Sequence, residues 1–541
     1  MTRIVIESME WHRVHVCLAG RLIDPTLTAT LGSDWRFFVE NPVSQQRIEL
    51  PDAHFDGAAF TLAFNAMQID DLYPLLSGSW NLCLRPGGMG TSPIPVDMAE
   101  EMVIPAKHYG GLFTTEGYQY WMLPVADAET DQFRLAVSFR TASKGLTPHG
   151  LSRVLARNST RLRKIRRAAY AALFQTIRRL IPKNGRRILF TSDSRAMLSG
   201  NLQHIHVRML ERGLDLEYKL HTSFKASITA KRPLRDKLLF AYYLATADVI
   251  LLDDYHPMLY RVPFGPEVKL IQVWHASGAF KTVGYSRVGK PGGPSPFAKS
   301  HKNYTHALVS STHDVPFYAE AFGLPEERIV PSGIPRMDVF FDEDYKARTR
   351  EAVYADLPRL RGKRVILFAP TFRGSGPSNA FYDFDELDLP ALHALCLEQD
   401  ALVVFKMHPF VLEPLRIPEE FADRFIDTTL SREINELLLV ADLVITDYSS
   451  VVFEYSTLNR PMLFFAYDLE EYVATRDFYE DFETFVPGKI VRTFAQVIDA
   501  LRTDDFEFEK VAPFAHAHLE HLDSGSTDRV IDRLILGRDS S

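Results

Sequence analysis

The segment LVITDYSSVVFEYSTLNRPMLFF, residues 443–465, holds the pattern that decides the fold. Leu443, Val444 and Ile445 form a short apolar β-branched run of the kind buried on both faces of a parallel sheet. Pro461-Met-Leu-Phe-Phe465 is a second such run. The interval reads as about four turns of helix, opened by Asp447-Tyr448-Ser449-Ser450. One Ser there is an ordinary N-cap, its oxygen accepting from the first free backbone N–H groups. Two adjacent hydroxyls at the carboxyl end of a strand stand where open α/β sheets bind ligands, and a helix N-terminus suits an anion. Capping and phosphate binding are both open on this segment alone.

The same alternation extends in both directions. RRILFTS, LSGNLQHIHVRMLERG, LEYKLHTS, LRDKLLFAYYLATA, DVILLDD, KLIQVWHASG and THALVSST form one run of strands and helices. KRVILFAPTFRG, ALHALCLEQDALVVFKMHP, FIDTT, INELLLVADLVITDYSS and PMLFFAYD form another. Alternation of this kind implies mostly parallel sheets. Two runs divided near residues 340–360 predict two doubly wound domains, 186–345 and 360–515, with a cleft between them. Residues 516–541 predict a closing pair of helices. Residues 1–145 differ: short alternating or aromatic runs separated by Pro, Gly, Asn and Asp turns predict a β-rich accessory domain. Pro86-Gly87-Gly88-Met89-Gly90 reads as a turn within it.

The chain has 541 residues, is 46% hydrophobic and carries a net charge of −8, which argues against general nucleic-acid binding. Cys17, Cys83 and Cys396 are far apart and fit a reducing cytosol. The N-terminus lacks a signal-peptide core, and no apolar run reaches the ~18 residues of a spanning helix. A cytoplasmic location is expected unless something holds the chain to a membrane. Between Asp131 and Asp193 there is no carboxylate. Residues 150–183 predict a basic linker helix with Leu151, Leu155, Leu162, Ile165, Ala169, Leu173, Ile177 and Leu180 at helical spacing. Arg163, Lys164, Arg166 and Arg167 flank that stripe. Contact with an anionic membrane surface and a solvated interdomain helix are both open.

Several strand ends carry chemistry. His275, in Gln272-Val-Trp-His-Ala-Ser-Gly278, and His408, in Lys406-Met-His-Pro409, each end a strand, one per half, and are expected to face one another. An ordinary histidine pKa of about 6.5 suits a general base; for His275 that role and a hydrogen-bonded structural histidine beside Trp274 are both open on the motif alone. Thr371 and Arg373, in Ala369-Pro-Thr-Phe-Arg-Gly374, offer a hydroxyl and a guanidinium suited to phosphate oxygens. Gly333-Ile-Pro-Arg-Met-Asp338 adds Arg336, and Glu454 lies one turn past Ser449 and Ser450. Asp253-Asp254-Tyr255-His256 reads as structural or acceptor-side. There is no HExxH, CxxC pair, Walker loop or GxGxxG, so neither a metal nor a cofactor is expected.

The ordered set WHASGAFKTVGY, GIPRMD, LFAPTFRG, KMHP and ADLVITDYSSVVFEY…RPMLFFAYDLEEY…PG resembles the CDP-glycerol glycerophosphotransferase family, the teichoic-acid primases and polymerases, over about residues 186–505. The resemblance implies a GT-B architecture of two Rossmann-like domains, here preceded by the β-rich domain. It implies transfer of glycerol phosphate from CDP-glycerol to a hydroxyl of a lipid-linked polymer acceptor, releasing CMP, at the inner face of the cell membrane. His275 and His408 match the family's catalytic histidines. Ser449 and Ser450 match its paired serines at the donor phosphates, with Thr371, Arg373, Arg336, Glu454 and Asp447 on the donor side. The chain departs at Ala276 and at Asp477 of Arg476-Asp-Phe-Tyr479, where Gly is usual. CDP-ribitol or a nucleotide sugar as donor, a non-catalytic glycan-binding scaffold, and a homo-oligomer remain open.

Overall fold

Leu443–Thr446 is a fully buried strand in the interior of a six-stranded sheet. The computed structural model describes residues 4–30, 35–86, 92–103, 112–115, 117–127, 129–141, 151–228, 230–290, 292–374, 379–411 and 413–538. The chain divides into two compact units. One comprises Met1–Ala171, Val283–Asn303 and Ala319–Pro325; the other comprises Ala172–Thr282, Tyr304–Tyr318 and Glu326–Ser541.

The second unit holds two parallel sheets. In the first, β1 (Arg187–Ser192), β2 (Lys219–Phe224), β3 (Val249–Leu252), β4 (Lys269–Gln272), β5 (His306–Val309) and β6 (Ile329–Pro331) lie in the order β2-β1-β3-β4-β5-β6. In the second, β7 (Arg364–Phe368), β8 (Ala401–Phe405), β9 (Phe425–Asp427), β10 (Leu443–Thr446), β11 (Met462–Phe465) and β12 (Lys489–Val491) lie in the order β9-β8-β7-β10-β11-β12. The apolar runs follow from this placement: β3, β8 and β10 are buried at every residue because helices cover both faces. Strand order reverses between β1 and β3 and between β7 and β10, the two points where such sheets leave a crevice.

Two helical expectations change. The helix after β10 spans only Val451–Ser456, because Asn459 takes φ 50° and Pro461 cannot continue a helix. The closing segment starts earlier than predicted, with helix Val511–His518, followed by Ser526–Arg529 and a wound stretch Val530–Leu536. Val530, Ile531, Leu534 and Ile535 bury themselves in the core of the first sheet beside Ile188 and Met209.

The first unit is β-rich. Its five-stranded sheet contains Ile4–His12, His15–Leu22 and Ala59–Asn65; its larger sheet contains Arg36–Glu40, Gly78–Arg85, Tyr118–Ala126 and Phe133–Thr141. Its first two strands, Ile4–His12 and His15–Leu22, form a hairpin that turns at Arg13 with φ 55°. Ile6, Leu18, Phe37, Leu82, Tyr120 and Leu135 share one core that also takes in Tyr285 and Val288. Within this unit Glu320 is buried against Arg13 Nε at 2.8 Å and His15 Nδ1 at 3.0 Å. Residues 87–90 of the expected Gly-rich turn lie outside the described residues.

Candidate active site

The loops after β7 and β10, Ala369-Pro-Thr-Phe-Arg-Gly374 and Asp447-Tyr-Ser-Ser450, meet at the reversal of the second sheet. Beside them opens a cavity of about 770 Å³, lined by Pro370, Lys406, His408, Thr429, Ser449 and Val451 among others. That size suits a small organic ligand. Ser450, at the N-cap position, makes no capping bond through its side chain, and Ser449 Oγ accepts only a long one, 3.5 Å, from Val451 N. Capping therefore does not consume the two hydroxyls. The helix behind them is too short to add much dipole, so hydroxyls and backbone N–H groups are what this edge offers an anion.

Arg373 is not placed to hold a phosphate. Its guanidinium spans Asp468, with Nε to Oδ2 at 2.5 Å and NH2 to Oδ1 at 2.8 Å, while NH1 reaches Asp447 Oδ2 at 2.7 Å and the Thr371 carbonyl at 3.0 Å. Burial alone would lower its pKa, but the two carboxylates hold it raised. Asp447 in turn accepts from the N–H groups of Thr371 at 2.7 Å and Tyr448 at 2.6 Å. Arg373 and Asp447 thus tie the two loops together, and the loops rather than these charges face the cavity.

Arg336 and Glu454 are likewise paired with each other. Ser277 Oγ donates to Glu454 Oε1 at 3.2 Å, so the pair joins the loop after β4 to the helix after β10. Next to it Gly278 takes φ 66°, and a Cβ there would stand 2.1 Å from the Phe453 ring. Only glycine fits. Asn201, buried at the start of helix Gly200–Glu211, donates to the carbonyls of Val273 and Trp274, each at 2.9 Å, and accepts from Arg336 N at 3.0 Å. These bonds hold Trp274 at φ 50°, a conformation that costs a bulky residue about 1–3 kcal/mol and that concentrates at functional sites. Ala276 has no positive φ, so its methyl brings no backbone strain.

The two histidines are fixed in opposite tautomers. His275 is exposed, and its Nδ1 lies 3.1 Å from the Asp253 carbonyl, which can only accept. Nδ1 is therefore the donor, and in the neutral tautomer this selects, Nε2 is the nitrogen with the lone pair. His408 Nδ1 instead accepts from Phe410 N at 3.2 Å, so the proton sits on Nε2. Burial, and secondarily the charge of Lys281, pushes the His408 pKa down to about 4, keeping the ring neutral. His408 lines the cavity, and His275 is not among its lining residues.

Lys281 supplies the connection. Six residues after His275, its Nζ lies 3.3 Å from Thr371 Oγ1 and 5.4 Å from the centroid of the Tyr472 ring. Burial pushes its pKa down to about 7, against the opposing pull of Asp447. Lys281, Asp468 and Asn201 escaped the sequence reading. Lys281 lay inside the WHASGAFKTVGY motif, but a lysine among small residues carries no signal until its partner loop is known.

At the reversal of the first sheet the residues that follow β1 and β3 form buried ion pairs. Asp193 is buried against Lys225 and Arg232, each at 2.9 Å, and His256 at 3.3 Å; Asp253 is buried against Arg195 at 2.6 Å. The basic helix spans Leu151–Leu180. Phe174, outside the predicted stripe, is its buried anchor, whereas Ile165 is 64% and Leu180 75% exposed. The side chains of Arg163, Lys164 and Arg166 lie outside the described residues; Arg167 is exposed. Among the described residues no helix is long and apolar enough to cross a membrane.

A family model described as CDP-Glycerol:Poly(glycerophosphate) glycerophosphotransferase matches residues 173–536. The teichoic acid ribitol-phosphate polymerase TarL of Staphylococcus aureus (strain NCTC 8325 / PS 47) is 38% identical over 98% of this chain and 99% of its own length. TarK of the same organism, also described as a teichoic acid ribitol-phosphate polymerase, is 49% identical over 68% of this chain and 71% of its own. The solved structure of the wall teichoic acid polymerase TagF covers 72% of this chain and 98% of its own, with a TM-score of 0.57 at 21% identity, a likeness of fold alone.

Proposed function

We propose, from the premise that this chain belongs to the CDP-glycerol:poly(glycerophosphate) glycerophosphotransferase family, that it transfers a polyol phosphate from a CDP-linked donor to a hydroxyl of a wall teichoic acid chain. The observation that carries this reading is the opposite tautomer of the two histidines. An acceptor hydroxyl attacks the phosphorus that bears the polyol. His275 Nε2 takes the hydroxyl proton as it attacks, a role worth about 10²–10⁴ in rate. The bond from that phosphorus to the bridging oxygen breaks, and CMP leaves with the bridging oxygen. His408 Nε2–H, the Ser449 and Ser450 hydroxyls and the Lys281 ammonium hold the diphosphate and the charge that develops on it. Donors already in place when charge appears make the largest contribution to such a reaction. Thr371 is positioned by Asp447 and Arg373, and the His275 loop by Arg336 and Glu454.

This assignment reads the two doubly wound sheets as a GT-B pair, with the donor on the second. Ribitol phosphate is the transferred group we favour, because relatives matching along most of the chain are described as ribitol-phosphate polymerases. Glycerol phosphate is the second reading, supported by the family description. Contact of the basic helix with the cytoplasmic face of the membrane, where a lipid-linked acceptor lies, is supported by exposed Ile165, Arg167 and Leu180. The test is CMP release by the purified protein from CDP-ribitol and CDP-glycerol in parallel, with and without a lipid-linked polymer acceptor. Acceptor-dependent release from CDP-ribitol is expected. Release from CDP-glycerol alone selects the second reading, and silence with both refutes the reaction.

A further inference from the structure

Away from the candidate active site, three residues distant in sequence converge. His313 lies in the turn Thr312–Asp314 after β5, Glu480 follows Phe478-Tyr479 in the second sheet's domain, and His518 ends helix Val511–His518. His313 Nε2 is 3.0 Å from Glu480 Oε1. The His313 and His518 rings are 4.9 Å apart, and one ligand atom from each of the three residues lies within 4.8 Å of the others. His518 is 7% exposed, and its Nδ1 is buried without a hydrogen-bond partner. The rings of Phe453, Phe485 and Phe514 wall the imidazole at 6.0, 4.9 and 4.5 Å. Glu520 Oε2 accepts from Thr312 N at 2.7 Å and Thr312 Oγ1 at 2.6 Å, which holds the end of the helix segment against the His313 turn.

An ordinary ion pair accounts for His313 and Glu480. It does not account for an unpaired imidazole nitrogen in an apolar pocket beside them, a group that is costly to bury unsatisfied. We propose that His313, Glu480 and His518 form a binding site for a zinc ion. Two imidazoles and one carboxylate are a three-ligand set suited to zinc, with the fourth tetrahedral position left to water. Magnesium, which prefers oxygen ligands and octahedral geometry, is rejected by the same set. Zinc bonds of about 2.0–2.2 Å put tetrahedral ligand atoms about 3.3 Å apart, so the widest separation here closes by at most about 1.5 Å. The ion would join the loop after β5, the loop before helix Phe482–Phe485 and the end of helix Val511–His518. It would lock the junction between the two halves of the unit rather than take part in phosphoryl transfer.

The test uses the untagged full-length protein, stripped with chelator and dialysed against Zn²⁺ alone. One zinc per chain is expected, with a rise in melting temperature that excess Mg²⁺ does not reproduce. His313→Gln and Glu480→Gln, at partly exposed positions, keep the far-UV spectrum and weaken zinc binding at least ~10-fold. His518→Gln removes the zinc-dependent rise in melting temperature. Zinc X-ray absorption of the wild type shows two imidazoles and an oxygen at about 2.0–2.2 Å. Failure of the wild type to take up zinc at micromolar concentration overturns the site, as does full uptake in both exposed variants. Because the readouts are stoichiometry, stability and zinc spectra, they stand apart from any result on CMP release.

Discussion

The two parallel sheets reverse their strand order at equivalent places, and the chain treats the two places in opposite ways. Between β1 and β3 lie two buried carboxylates, Asp193 paired with Lys225 and Arg232, and Asp253 paired with Arg195. Burial pushes His256 there down to about 4 despite the neighbouring Asp193. Between β7 and β10 the buried ion pairs sit behind the loops, and the crevice stays open, with His408 and Ser449 on its wall. A doubly wound sheet thus provides the location of a site without its chemistry. What differs between the two is where the ion pairs sit: at the strand ends of the first sheet, and behind the loops of the second.

The largest effect that tests this contrast is Arg373→Ala. It leaves buried Asp447 and half-buried Asp468 without their cation and is expected to cost about 3–5 kcal/mol in denaturant unfolding. Arg195→Ala, whose side chain is 36% exposed, should cost less; equal losses would erase the distinction between the two ion-pair sets. Next comes His408→Ala, expected to lower kcat by about 10²–10³ with an unchanged melting temperature. His256→Ala should do the reverse, lowering the melting temperature. A His256 variant that folds normally but loses turnover would place the first crevice in the reaction.

Lys281 sharpens the comparison through pH. Its amine, with the pKa pushed down to about 7, is charged below that value and neutral above it. Donor affinity should therefore fall as pH rises through 7. Lys281→Ala should weaken the donor by the ~1.5–3 kcal/mol of a charged hydrogen bond and flatten the pH profile, read by calorimetric titration. The smallest effect concerns Asp477, at φ 61° and ψ 153°, a region close to glycine-only. Asp477→Gly should relieve strain and raise stability by about 1 kcal/mol, measured by thermal unfolding with activity retained.

Much of this architecture is written in local patterns. The strands β3 and β8 are apolar at every position, and β10 at every position but Thr446, as strands buried on both faces require. The hairpin at Arg13 was less legible, because a two-residue turn without Gly, Asn or Pro interrupts no pattern. The length of the helix after Ser450 was overread, since Asn459 signals its left-handed turn only weakly. Among candidate site residues, His408 and Ser449 line the cavity at the reversal of the second sheet. Arg373, Asp447, Arg336 and Glu454 read as ligand-binding charges because a sequence does not show that two charges distant in the chain neutralise each other. Lys281, and the residues of the proposed zinc site, lie beyond reach for the same reason: His313, Glu480 and His518 share no spacing.

The contact between Gly278 and the Phe453 ring has an evolutionary consequence. Gly278 stands three residues after His275, and Phe453 three after Ser450, so the loop that carries His275 and the loop that carries Ser449 and Ser450 are indexed to one another by a single missing methyl. Halves exchanged between distant relatives will work only where both members of that contact travel together, or where the incoming ring is small enough to release the glycine. Drift at either position is therefore coupled to drift at the other, and recombination that crosses between them should be rare among functional descendants.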